Sequence, residues 1–522
     1  MASTFHGLEI ARRALFTQQS ALKTTNHNIA NANTEGYSRQ RVEFSQTSPF
    51  PSPGRNRPEI PGQMGTGVEA GQVERVRDEF LDYQYRMENN KSGYWSSRAD
   101  SLSRMEDLLN EPTDEGLNEV MDQFWQGLQD VATNPEDEGA RRVAVERGVA
   151  VSDTFNYLNN RLSDVQNELK NQMDQSTTQI NDLLAEIQGV NEQIGRIEPN
   201  GYLPNDLYDK RDQLVDELSQ HANIVVGTEP SGGNANPTAE GKYTIKLADA
   251  EGKALEDSEG NSIDLLNADN DMLHVNVDYT DVDGEEVVSG INVVELDDEG
   301  EVVSTEHELS VGEFNSPGEL KGLIESHGYE DGGEVKGIYS DQISELDDLA
   351  QAFAVAFNEQ HQQGYDLDGQ QNPDLEFFTF NADNAAGSIS VSDQLKNDER
   401  LLAASGDGFP GDGSNADLLA GIKDMTLGAD SAIGEQSIQK FYEGMIGDLG
   451  VQAQEANRMA ENSDVLKQSV EENRESVSGV SLDEEMANMI QFQHAYNAAA
   501  RSLTTVDEML DRVINQMGIV GR

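Results

Sequence analysis

The 522-residue chain carries 36 Lys and Arg against 97 Asp and Glu, a formal charge of −61 with a pI near 4.2, and no cysteine. So acidic a chain repels phosphate backbones and anionic lipid, which excludes a nucleic-acid binder or a basic membrane-surface protein; the missing thiols exclude disulfides, Cys-ligated zinc, iron–sulfur clusters and a cysteine nucleophile. Apolar content of 36% with aromatics at 6% predicts a thin core divided over roughly three or four domains, in an elongated molecule rather than one large globule.

At the N-terminus Leu8, Leu15, Leu22 and Ile29 recur every seven residues with Ala11, Gln18 and Thr25 between them, which predicts a helix with a narrow, coiled-coil-like seam. The start MASTFHGLEIARRALFTQQS lacks the apolar stretch of a signal peptide, so the expectation is a cytoplasmic chain or one exported without a cleaved leader. No apolar run approaches the roughly 18 to 20 residues of a membrane span. At the helix exit, NHNIANANTEGYSRQ (26–40) crowds Asn26, Asn28, Asn31, Asn33 and Gly36 ahead of Tyr37. That composition predicts side-chain-to-backbone hydrogen bonds and a positive φ at Gly36 where an extended segment begins.

From about Asp114 to Glu198 the period is helical, through Leu117, Val120, Phe124, Leu128 and Val131 and then Phe155, Leu162, Leu169, Leu183, Val190 and Ile197. NPEDEG (134–139) is the turn between two helices, PNG (199–201) ends the second, and a further helix carries Leu207, Leu214 and Leu218. Between Asn223 and Asn315 the period drops to two and three Lys face 23 acids, net −20, against net +2 over Met1 to Thr47. This middle reads as an acidic antiparallel β insertion. Within it, Glu295 through Asp297, Glu299 and Gly300 to Glu306 has EF-hand-like spacing, but Glu replaces short ligands and no helix flanks it, so a DEG hairpin turn is expected instead.

After SPGEL the helical period returns with Tyr339, Leu346 and Phe353, followed by a Gly/Asp/Asn-rich stretch to about Asp430 and a helix from about Ser437 to Val477. The last helix opens on a capping box, Ser481 with Glu484, and is expected to run 35 to 40 residues. Leu482, Met489, Tyr496, Leu503, Leu510 and Met517 hold one heptad position; Phe492, Ala499, Val506 and Val513 hold the other, continued by Val520. An isolated helix leaves such a seam wet, so both ends require partners.

The fold class expected is mainly α with an inserted β domain: an elongated multi-domain rod of paired terminal helices, a helical bundle and a small antiparallel β domain. The boundaries are 1–47 with 479–522 for the assembly domain, 48–222 with 316–478 for the bundle, irregular over about 370–430, and 223–315 for the β insertion. Pairing the two ends at one pole leaves the β insertion at the other. The eight His are scattered without a zincin pair, and phosphate-loop, dinucleotide and nucleophile-elbow motifs are missing, so no catalytic residue, metal site or cofactor is expected.

The stretch 26–40 resembles the N-terminal signature of bacterial flagellar rod, hook and hook-associated proteins, and ANANTEGYSRQ looks most like the hook-associated protein 1 family of the hook–filament junction. GVSLDEEMANMIQFQHAYNAAARSLTTVDEMLDRVINQMG (479–518) is similar to that family's C-terminal segment, and LPNDLYDKRDQLVDELS (203–219) and AFNEQHQQGYDLDG (356–369) add internal likeness. Glu35 stands where the family commonly has Pro and His27 where Asn is usual. The resemblance implies a structural building block: copies in a ring-like helical layer, exported unfolded through the flagellar type III apparatus and bound beforehand by a chaperone at the C-terminal segment. Its implied neighbours are the hook protein and hook-associated protein 3, at an extracellular location. A flagellar hook or distal rod protein is the alternative within the group, although such relatives are mainly β between their terminal helices; a secreted coiled-coil adhesin is the alternative outside it, and would be expected to carry a leader.

Overall fold

The computed structural model describes residues 5–51, 62–109, 116–257, 260–282, 284–297 and 301–516. Its first helix, α1 (His6–Ala30), leads into a hairpin of β1 (Gln40–Gln46) and β2 (Val68–Arg75), paired antiparallel with a bulge between Val42 and Phe44. The bundle follows as α2 (Glu79–Leu109), α3 (Leu117–Thr133), α4 (Glu138–Ile197) and α5 (Asn205–His221). The 60 residues of α4 run uninterrupted by proline, about 90 Å at 1.5 Å per residue. Asp137 caps its start by accepting from Gly139 N at 2.8 Å, and Gly201, at φ +83°, turns the chain back after its end.

The strands come next: β3 (Ile224–Glu229), β4 (Lys242–Leu247), β5 (Asp264–Leu266), β6 (His274–Val282), β7 (Glu285–Leu296) and β8 (Val302–Ser310). β3, β4 and β5 form one small sheet. β6, β7 and β8 form the heart of a second, joined by β9 (Tyr329–Asp331) and β10 (Glu334–Lys336) from beyond α6 (Glu319–His327). The EF-hand-like run is a β-hairpin where it is described: Glu295 pairs with Ser304 and Leu296 with Val302, and Asp297 N donates to Glu301 O at 2.9 Å. Glu299 and Gly300 lie outside the described residues.

The remainder comprises α7 (Ile338–His361), short elements β11 (Phe378–Thr379), α8 (Ala385–Ser388), β12 (Ser390–Val391), α9 (Asp393–Asn397) and α10 (Ser414–Ala420), and then α11 (Ile438–Ser478) and α12 (Leu482–Asp511), with a π-helical turn over Arg512–Gln516. The Gly/Asp/Asn-rich stretch is packed structure. Its Phe377 and Phe378 join Phe124, Trp125, Phe353 and Phe357 in an aromatic cluster whose neighbouring ring centroids lie 4.7 to 6.4 Å apart. Rings at that spacing add about 0.5 to 1.5 kcal/mol per pair beyond their burial. Gly148 of α4 makes room for them, since a Cβ there would stand 2.8 Å from the Phe377 ring.

One expectation is corrected. The β insertion does not sit at the pole opposite the chain ends but along the C-terminal half of α4, where Asn181 exchanges two hydrogen bonds with Val275 and Asn191 with Tyr243. The reason is that α4 itself reaches the root of the terminal helices, where Asn205 and Asp206 meet Val73 and Gln40, and α5 then runs back antiparallel to it, so that the chain stands beside Ser176 of α4 when the first strand begins. The far pole holds the aromatic cluster and the segment from β11 to α10.

Candidate assembly interface

α1 lies between α12 and the β1–β2 hairpin, and the close packing is made by small residues. Ala11, Thr17, Ala21, Thr25 and Asn28 are buried on α1, whereas the seam residues Leu8, Leu15, Leu22 and Ile29 are only half-buried at its edges. Thr17 donates to Val68 O at 3.3 Å, tying the helix to β2. Antiparallel to α1, α12 brings Val506 within 3.6 Å of where a Cβ on Gly7 would stand, and Phe492 meets Phe44 edge to face at 5.9 Å.

The heptad positions of α12 divide. Ala499 and Leu510 are buried and Met489, Phe492, Leu503 and Val506 are half-buried, while Leu482, Tyr496 and Val513 remain exposed; Met517 lies outside the described residues. A stripe at i, i+4, i+8 is left open: Leu482 is 47%, Met486 50% and Ile490 56% exposed. Ser481 caps the helix, accepting from Glu484 N at 3.5 Å, but the capping box is half made, because the Glu484 carboxylate pairs with Arg39 at 2.8 Å.

The signature turn behaves as its composition requires. Asn28 is the hub: its Nδ2 donates to Gln40 O at 2.8 Å, and its Oδ1 accepts from Gln40 N at 3.0 Å and from the Tyr37 hydroxyl at 2.8 Å. Asn31 donates to His27 O, Gly36 takes φ +73°, and Asn33 is exposed beside a groove of about 1060 Å³ between this turn and the end of α11. The Tyr37 hydroxyl is held well above its usual range by burial, with Asp209 and Asp206 nearby.

Sequence reasoning missed what joins this arm to the bundle. The chain crosses between them at 37–39, 75–78 and 478–481, and Arg39 stitches all three: its N–H donates to Ser478 O at 2.8 Å and its carbonyl accepts from Val76 N at 2.7 Å. Its guanidinium also binds buried Glu485 at 2.8 Å. Beneath the crossings, Asp209, Asp212 and Asp216 line one face of α5. Arg75 binds Asp209 and Asp212, each at 2.8 Å; Arg77 binds Asp82 at 2.6 Å and Asp212 at 3.3 Å; Arg86 binds Asp216 at 2.7 Å. Arg474 of α11 closes on Asp216 and lies 4.1 Å from the Tyr85 ring centroid. Burial alone would raise the Asp212 carboxyl, but Arg77, Arg75 and Arg86 hold it well below the usual carboxylate range. Periodicity gave no signal for it: Asp209, Asp212 and Asp216, at i, i+3 and i+7, lie on the face of α5 opposite Leu207, Leu214 and Leu218, where acids read as solvated.

Among the described residues, no group of three or more His, Asp or Glu is placed to hold a metal, and no helix is long and apolar enough to cross a membrane.

Residues 102–378 match the sequence family described as the flagellar hook-associated protein FlgK helical domain. Residues 8–37 match the flagella basal body rod protein family and 472–517 the flagellar basal body rod FlgEFG protein C-terminal family. The chain is 44% identical over 528 residues to flagellar hook-associated protein 1 of Bacillus subtilis, covering 100% of both chains. It is 25% identical over 597 residues to the protein of that name from Salmonella typhimurium, covering 97% of this chain and 98% of that one. Among solved structures it is similar to the flagellar hook junction protein FlgK from Burkholderia pseudomallei, with a TM-score of 0.60 at 14% identity over 76% of this chain and 100% of the other; that likeness concerns the fold.

Proposed function

This chain belongs to the flagellar hook-associated protein 1 family, and on that premise we propose that it enters the flagellum through its terminal helix pair. It is a structural component of the hook–filament junction. In our reading residues 1–47 with 479–522 form the assembly domain, 48–222 with 316–478 the bundle, and 223–315 the acidic β insertion, which gains its last strands from beyond that boundary. No catalytic step is assigned to any of them.

The observation that carries the assembly reading is the open stripe of Leu482, Met486 and Ile490 beside a half-buried seam, on a helix whose other face is already taken by α1. Apolar surface of that kind gains about 25 cal/mol per Å² when covered. Copies of this chain in a ring-like helical layer would cover it, with the hook protein on one side and hook-associated protein 3 on the other. The same reading has the subunit leave the cell unfolded through the flagellar type III apparatus, attended by a chaperone on the C-terminal segment, and act outside the cell.

The test is genetic. A strain lacking this chain is expected to complete its hooks and shed filament subunits into the medium. Arrest before hook completion would assign the chain to the rod or hook instead.

A further inference from the structure

We infer that the arginine–aspartate cluster at the root of the arm is a clasp that stays closed in the free subunit, so that the boundary of order lies at the three crossings rather than inside the bundle. Two contrasts support this. Beyond the root, among the described residues, α1 and α12 pack mainly against each other and the β1–β2 hairpin, and they leave large apolar side chains such as Phe16, Met486 and Ile490 in water. At the root the side chains of Arg75 and Asp212 are 4% and 2% exposed, and each is matched by more than one partner.

The members also come from opposite sides of the joint. Asp212 and Asp216 belong to α5, which the bundle anchors through Leu214, Val215 and Leu218 in its core. The crossings are fastened to that fixed face. Ser38 N donates to Asp209 at 3.2 Å, Ser38 Oγ accepts from Arg77 at 3.2 Å, and Arg474 reaches Asp216 from the last turns of α11. Three single strands would otherwise make a hinge. A buried carboxylate that loses one guanidinium leaves an uncompensated charge, so the cluster opens as a unit or not at all. Assembly then has only to order two helices whose roots are already aimed. The inference concerns the single chain and does not depend on the flagellar reading.

Hydrogen–deuterium exchange on the full-length chain tests it. Peptides covering 37–41, 75–86 and 471–479 are expected to exchange at least about tenfold more slowly than those covering 492–511. Asp216→Asn is expected to abolish that protection at 37–41 and 471–479 while peptides of α4 keep theirs. Should Asp216→Asn also expose α4, Arg474→Gln, at the edge of the cluster, carries the comparison with the same expected result. Crossings that exchange as fast as α12 in the unaltered chain, or that stay protected in Arg474→Gln and in a folded Asp216→Asn, would overturn the clasp.

Discussion

In a chain with so large an excess of acid, most carboxylates are solvated, and the exceptions matter. Asp212 is one, with its side chain 2% exposed and in contact with Arg75, Arg77 and Arg86. Removing one side of such a buried set leaves charge uncompensated, so Asp212→Ala is expected to lower unfolding stability by about 3 to 5 kcal/mol. Cutting the exposed Arg196–Glu192 pair by Glu192→Ala is expected to change it by no more than about 0.5 kcal/mol, both read by denaturant titration. Equal effects would contradict this division between root and surface.

His361 is the other decisive single residue. It is fully enclosed against Phe357 and Phe377, accepts from Ala403 N at 3.1 Å, and is pushed down by burial to about 4. The unfolded chain takes up this proton near the usual 6.5 and the fold resists it until about 4. The stabilisation is therefore fully present above pH 6.5, declines as pH falls and is exhausted near pH 4, a loss of about 3 kcal/mol. His361→Gln is expected to flatten the stability profile over that window by a comparable amount. Glu345 and Asp347, raised by burial, act in the opposite sense, and His327, lowered by burial, acts in the same sense; both effects are common to the two chains, so their difference isolates His361. Parallel profiles would contradict the assignment.

Helices were the most legible elements, because a period of 3.6 over many turns has few alternatives. Ser437 and Ser481 cap α11 and α12 where the sequence placed their starts, and NPEDEG and PNG turn the chain as composition required. Less legible was which residues a helix buries. On α1 the leucines mark the edges and the threonines and alanines the contact, because α1 packs closely against a hairpin that periodicity did not reveal; β1 and β2 are short, polar and far apart in sequence. The joint was missed for a related reason: apart from Arg77 and Asp82, the partners that cross it are separated by more than a hundred residues, and ion pairing leaves no period. At this scale the expected consequence is for assembly. Leu503→Asp or Leu15→Asp places a carboxylate in a half-buried seam, which is expected to leave the bundle's helical circular dichroism intact and to abolish incorporation into flagella. Normal filament growth from either variant would contradict the role given to the seams.

For the molecule as a whole, nesting of the termini around a bundle was readable, but the position of the β insertion was not. Sequence order suggested an insertion at the far end, whereas the reversal through α5 places it along α4, with Glu240 reaching Arg75 at 2.5 Å at the root itself. The net −61 is carried mostly by surface acids, and its physical consequence is self-repulsion that counterions relieve. The thermal midpoint is therefore expected to rise between low and molar salt; an unchanged midpoint would show that the acidity does not burden the fold.

The central claim is that the terminal helices are surfaces completed only by neighbouring subunits, and imaging the assembled junction by electron cryomicroscopy tests it most directly. Leu482, Met486 and Ile490 are expected to be buried between adjacent subunits, with the α1–α12 pairing retained. If those side chains face open water in the assembled structure, the terminal pair is not the assembling surface.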